Sequence, residues 1–77
     1  MKELVEYLAR SLVDDPSQVQ VTEVVTGPDV LIELRVAPPD MGRIIGRNGK
    51  TISAMRTLVQ ACAGLEARRA QLELVED

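Results

Sequence analysis

The sequence predicts an α+β fold in which a three-stranded mixed sheet carries three helices on one face. Three observations lead there. Residues 30–37 alternate, with Val30, Ile32, Leu34 and Val36 facing one way and Leu31, Glu33 and Arg35 the other, as in a strand covered on one side only. Apolar residues recur at helical spacing in two places, Leu4, Val5, Leu8 and Leu12 near the start and Ile52, Met55, Leu58, Val59 and Cys62 further on. A stretch long enough for two helices separates residues 30–37 from the next alternating segment. A crossover of that length joins parallel strands in the right-handed sense.

The elements follow in order. Residues 2–13 read as a helix with Leu4, Val5, Leu8 and Leu12 inward, ended by Asp14-Asp15-Pro16 because proline disfavours helix in the residue before it. Residues 18–26 read as a strand with Val19, Val21 and Val25 on one face. Gly27-Pro28-Asp29 is turn chemistry, so an antiparallel hairpin leads into the strand at 30–37. Pro38-Pro39 stops that strand, and Asp40 to Ile45 form a short helix. A longer helix spans 50–63, with Gly64 as its expected C-cap. Residues 68–75 close the sheet with Ala70, Leu72 and Leu74 inward. There is no repeat and no low-complexity segment.

Between the last two helices lies the run Ile44-Ile45-Gly46-Arg47-Asn48-Gly49-Lys50-Thr51-Ile52. Glycine reaches φ > 0 and has no side chain to hold a ligand away. Arg47 and Lys50 set positive charge beside that bare backbone. A helix starting near Lys50 adds unpaired N–H groups and the positive end of its dipole. A cation in that first turn opposes the dipole, which hints at an anionic ligand. The combination suits a phosphate backbone held at close range.

Helix, Gly-x-x-Gly, helix, flanked by strands, resembles the KH domain, whose loop clamps about four nucleotides of single-stranded nucleic acid. The αββααβ order resembles the type II form of that domain. The stretches LVEYLARSLVDDP, LIELRVAPPDMGRIIGRNGKTISAMRTLV and LELVED resemble the KhpA family of small single-domain bacterial KH RNA-binding proteins. The resemblance implies one type II KH domain over residues 1–77, with its loop at 46–49. It implies that short single-stranded RNA lies in a groove between the helix pair and a strand edge. Gly46, Arg47, Asn48, Gly49 and Lys50 would meet the RNA backbone, Ile45 and Ile52 would help floor the groove, and Arg43 would be an outer phosphate contact. Arg56 is a further outer candidate. The residue pattern alone does not divide Ile44, Ile45 and Ile52 between groove and core. The resemblance further implies a post-transcriptional regulator or RNA chaperone linked to cell elongation and division. It also implies a homodimer, pairing with a larger KH-containing bacterial partner, or both.

Composition bounds the chemistry. Seventy-seven residues and 45% hydrophobic content suit one small domain with an aliphatic core, since Phe and Trp are absent and Tyr7 is the single aromatic. Base stacking on aromatic platforms is therefore excluded. The net charge is −3, yet it is unevenly spread. From Arg43 to Arg69 stand six basic residues and one acid, Glu66, a local balance of +5; the remainder holds three basic and eleven acidic residues, or −8. A basic pole on an acidic body favours local contact over bulk polyanion binding.

No histidine is present and the single Cys62 falls on an apolar helix face, so nucleophilic and metal chemistry lack parts and no cofactor is expected. Asp14-Asp15 needs no role beyond ending a helix. One cysteine and no signal or spanning segment suit the cytoplasm. Two other classes stay open: a protein-interaction module without RNA contact, and a single-stranded DNA binder. The loop is expected to be exposed, so Asp at Gly46 and Gly49 should block binding with little change in stability.

Overall fold

The computed structural model describes residues 1–76. Helix α1 (Lys2–Leu12) precedes the hairpin of β1 (Gln20–Thr26) and β2 (Asp29–Arg35); helices α2 (Met41–Ile45) and α3 (Lys50–Leu65) then lead to β3 (Arg69–Leu74). The strand order is β1-β2-β3, with β1 antiparallel and β3 parallel to the central β2. This is the expected mixed sheet and the expected αββααβ order. Short 3-10 turns occupy Pro16–Gln18 and Pro38–Asp40, where the sequence predicts only the end of a helix before the first strand and the end of a strand before the second helix. In each, proline supplies a fixed φ at the first position of the turn.

The alternation in β2 translates directly into packing. Val30, Ile32, Leu34 and Val36 are all buried, and register places the first three beside Ala70, Leu72 and Leu74 of β3 on the same face. The helices cover that face with Val5 and Ala9 from α1, Ile44 from α2, and Ile52, Met55, Val59 and Ala63 from α3. Burial of a Val, Leu or Ile side chain contributes about 1.5–3 kcal/mol, so this aliphatic cluster is the main stabilising feature.

Several inward assignments shift. In α1 the buried positions are Val5 and Ala9, with Leu4 and Leu8 half-buried and Leu12 exposed at the rim. Small Ala9 lets the helix lie close to the sheet, and Leu12, on the same face as Val5 but in the last position of the helix, reaches the rim. Val25 shares a face with Val30 but is exposed, because the helix layer does not cover the hairpin end of β1. In α3, Leu58 is 47% exposed and Cys62 only half-buried; the buried line is Ile52, Met55, Val59 and Ala63. Ala54, Leu58, Ala61 and Leu65 form a second line on the exposed side.

Gly64 is not the cap of α3. The helix runs to Leu65, and the left-handed residue is Ala67, with φ 57°. The Ala67 N–H donates to the Gly64 carbonyl at 3.1 Å and the Arg68 N–H to the Ala63 carbonyl at 2.8 Å, the paired bonds of a Schellman motif. The position is set by where the chain must turn so that the Arg69 N–H reaches the Pro28 carbonyl and β3 begins. A non-glycine residue in this conformation costs about 1 kcal/mol. Ala67→Gly is therefore expected to stabilise the fold by about 0.5 kcal/mol, net of glycine's greater freedom when unfolded. Melting should rise by about 3 °C. A fall in a thermal melt would contradict this capping geometry.

Candidate nucleic-acid interface

The loop between α2 and α3 is built from three residues at positive φ. Gly46 ends α2 at φ 74°, ψ 176°; Asn48 lies at φ 57°, ψ 28°; Gly49 lies at φ 73°, ψ 13°. The Gly46 N–H donates back to the Gly42 carbonyl at 2.9 Å, and the Gly49 N–H to the Gly46 carbonyl at 3.2 Å. These bonds close a tight turn, after which α3 starts at Lys50. The Lys50 N–H donates to the Arg47 carbonyl, and the first-turn N–H groups have no partner within α3 itself.

The two glycines are not equivalent. A Cβ at Gly46 would lie 2.7 Å from the Thr51 Cβ and 3.0 Å from its backbone nitrogen, and its φ,ψ pair belongs to a region open only to glycine. At Gly49 a Cβ would meet nothing within 4 Å, so only the left-handed φ carries a cost. The expectation that Asp at both positions leaves stability unchanged is thus corrected at Gly46, where Thr51 and the backbone conformation exclude any side chain. Gly46→Ala is expected to cost about 3 kcal/mol, the sum of strain and overpacking, against about 1 kcal/mol for Gly49→Ala. Chemical denaturation of the two variants checks the order. Equal losses would contradict the contact with Thr51.

Arg47 and Asn48 form the exposed tip. Asn48 occupies the left-handed conformation that asparagine tolerates better than most residues. Arg47 and Lys50, both exposed, form no ion pair among the described residues. Arg43 is placed differently. Its guanidinium lies 2.9 Å from the Asp14 carboxylate and 3.6 Å from that of Asp40, which ties it to the end of α1. Arg69 is paired with Asp29 at 2.9 Å. The basic pole therefore concentrates on the loop and α3.

The three isoleucines separate clearly. Ile44 is fully buried and Ile52 nearly so, while Ile45 is 40% exposed beside the loop. Arg56, two turns into α3, donates from Nε to the Leu72 carbonyl of β3 at 3.1 Å and so bridges the helix and the edge strand.

One residue that positions the site had no local signature. Asp40 is only 2% exposed, and its carboxylate accepts the Asp14 and Asp15 N–H groups, both at 3.1 Å. It stands at the N-cap of α2 yet makes no side-chain cap there. A buried carboxylate is tolerated only when paired and hydrogen-bonded, and Arg43 with the two amides meets that need. The result pins the start of the loop-bearing helix pair to the α1–β1 connection.

Residues 2–74 match the family model described as KhpA/KhpB, KH domain. The chain belongs to this family. Among its relatives, "RNA-binding protein KhpA" of Clostridium acetobutylicum is 45% identical over 75 residues, covering 97% of this chain and all of the relative. The KhpA of Clostridium perfringens matches to the same extent, and that of Chlamydia pneumoniae is 43% identical over 77 residues, covering 100% of this chain and 99% of the relative. These relatives are named as RNA-binding proteins and not as enzymes. No solved structure matches the chain. Among the described residues no helix is long and apolar enough to cross a membrane, and no group of His, Cys, Asp and Glu is arranged to hold a metal ion.

Proposed function

We propose that this chain binds single-stranded RNA, holding about four nucleotides on the Gly46–Gly49 loop and in the adjoining cleft. The observation that carries the reading is the loop itself: three positive-φ residues present bare backbone at the start of α3, beside the cations Arg47 and Lys50, which form no ion pair among the described residues. The RNA-binding names of the KhpA relatives support it. In this reading Gly46 and Gly49 admit the backbone, Arg47, Asn48 and Lys50 meet phosphate or sugar, Ile45 offers apolar contact, and Ile52 supports it from below. Arg43 acts at the edge, already engaged by two carboxylates.

A single groove of this size gives weak affinity, and two linked grooves convert the second contact into an intramolecular one. Self-association, or pairing with a larger KH-containing bacterial protein, completes the reading. Leu58 and Leu65, 47% and 90% exposed on α3, offer apolar surface for such contact. The cellular role that fits is a cytoplasmic post-transcriptional regulator or RNA chaperone linked to bacterial cell elongation and division.

Binding should weaken gently with salt. Two or three phosphates engage the loop, and each contributes a slope of about −0.7 for a single strand, so roughly −1.5 to −2 is expected in log affinity against log salt. Titrating matched RNA and DNA oligonucleotides across a salt series tests this. Tighter binding of RNA is expected if the 2′-hydroxyl is read. A slope steeper than about −4 would show a wider electrostatic surface than the loop provides.

A further inference from the structure

Strand β3 is an edge of the sheet, paired with β2 alone. The Arg69 N–H donates to the Pro28 carbonyl and the Val75 N–H to the Leu34 carbonyl, so the odd-numbered residues turn their polar groups toward β2. Alternation along a strand then turns the N–H and C=O of Ala70, Leu72 and Leu74 to the open edge. Arg56 meets that edge, with Nε fixed to the Leu72 carbonyl at 3.1 Å.

The position of Arg56 relative to the loop follows from helix geometry. Ser53 and Arg56 lie three residues apart on one face of α3, and Gly49, the residue that caps the helix, stands four residues before Ser53 at the start of that face. Arg56 is seven residues from Gly49, about 10 Å along the axis. A strand held by its phosphates at the loop and running along the cleft would bring a neighbouring base to this guanidinium. Only Nε is engaged; the two terminal nitrogens form no other hydrogen bond or ion pair among the described residues. The Nε bond fixes the plane of the fork, and the terminal N–H groups present a rigid pair of donors.

We propose that Arg56 reads a base in this cleft and gives the site a preference for bases with two adjacent acceptors. This rests on the RNA-binding reading above. Arginine donates only and cannot accept. Guanine offers O6 and N7 to such a fork, and cytosine offers O2 and N3 once unpaired. Adenine sets a donor beside N7, and uracil places an N–H between its two carbonyls, so neither accepts both donors. The role differs from a phosphate contact, which carries no sequence information.

The test uses oligouridine octamers with one interior position changed to A, C or G, titrated into the wild type, Arg56→Gln and Arg56→Lys. Melting curves are measured alongside. The wild type should bind the C or the G octamer about tenfold more tightly than the A or all-U octamers. Which of the two gains more identifies the base. Arg56→Lys should bind all four within about twofold of one another, and Arg56→Gln, whose amide both donates and accepts, should lose the preference for C or G, both while still binding the all-U octamer. Lysine keeps the charge but lacks the fork, so its loss of preference separates base reading from simple attraction. Equal binding of the four octamers by the wild type, or a preference retained in both folded variants, would overturn the role of Arg56 and leave RNA binding standing. A uniform weakening of all four by Arg56→Gln, with the preference kept, would show a phosphate contact instead. No binding of any octamer by the wild type would overturn the RNA-binding reading and this inference with it.

Discussion

Replacing Arg47 and Asn48 together by Asp is expected to abolish binding of short single-stranded RNA and leave the fold intact. Both side chains are exposed, and neither makes a hydrogen bond or ion pair among the described residues. Asn48 sits at φ 57°, a conformation that Asp also tolerates. Stability should therefore change by no more than about 0.5 kcal/mol, or about 3 °C in melting. The effect on binding is far larger. Loss of a charge-assisted phosphate bond costs about 1.5–3 kcal/mol, and each new carboxylate beside a phosphate adds about 1 kcal/mol or more of repulsion. The sum corresponds to a loss of at least about a hundredfold in affinity. Unchanged affinity in a folded variant would remove the loop from the site. This pair is a cleaner probe than substitution of both glycines, because Gly46 abuts Thr51 and has no room for a side chain.

The second large effect concerns the core. Leu34 is 0% exposed on the central strand, opposite Val21 of β1 and beside Leu74 of β3. Leu34→Asp places a carboxylate among aliphatic side chains with no partner. The cost is several kcal/mol, comparable with the whole stability of a small domain, which starts near 5 kcal/mol. The variant should be unfolded by circular dichroism at 25 °C. Leu34→Ala, which removes volume without adding charge, should remain folded but lose about 2–5 kcal/mol. A native melt for Leu34→Asp would mean that this strand faces the other way.

The strand faces were legible because β2 is central and covered on one side, so alternation in sequence maps onto burial without exception from Val30 to Val36. The helices were less so. In α3, Leu58 and Val59 are adjacent, and apolar residues occur on both the buried and the exposed sides; spacing alone does not choose between them. In α1 the decisive contact is made by Ala9, whose small size carries little periodic signal. The turn of the loop was legible, since Gly46, Asn48 and Gly49 each adopt a backbone conformation their chemistry favours, but the contact that closes Gly46 against Thr51 was not. The cap of α3 was not, because Ala67 is held left-handed by the junction with β3 and not by its own preference. The positioning role of Asp40 and the bond that ties Arg56, already an outer candidate, to β3 escaped the sequence for a common reason. The partners of Asp40 are 25 and 26 residues away and that of Arg56 is 16 away, so only the folded chain reveals them.

The central claim is that the loop and the cleft beside it hold single-stranded RNA. It is tested most directly by following the backbone amide resonances of the isotope-labelled protein while a short single-stranded RNA is added. The account predicts shifts concentrated at residues 45–53 and at Arg56 and Leu72, with the hairpin of β1 and β2 unmoved. Shifts confined to the open sheet face or to α1, or saturating RNA with no shift at the loop, would contradict it.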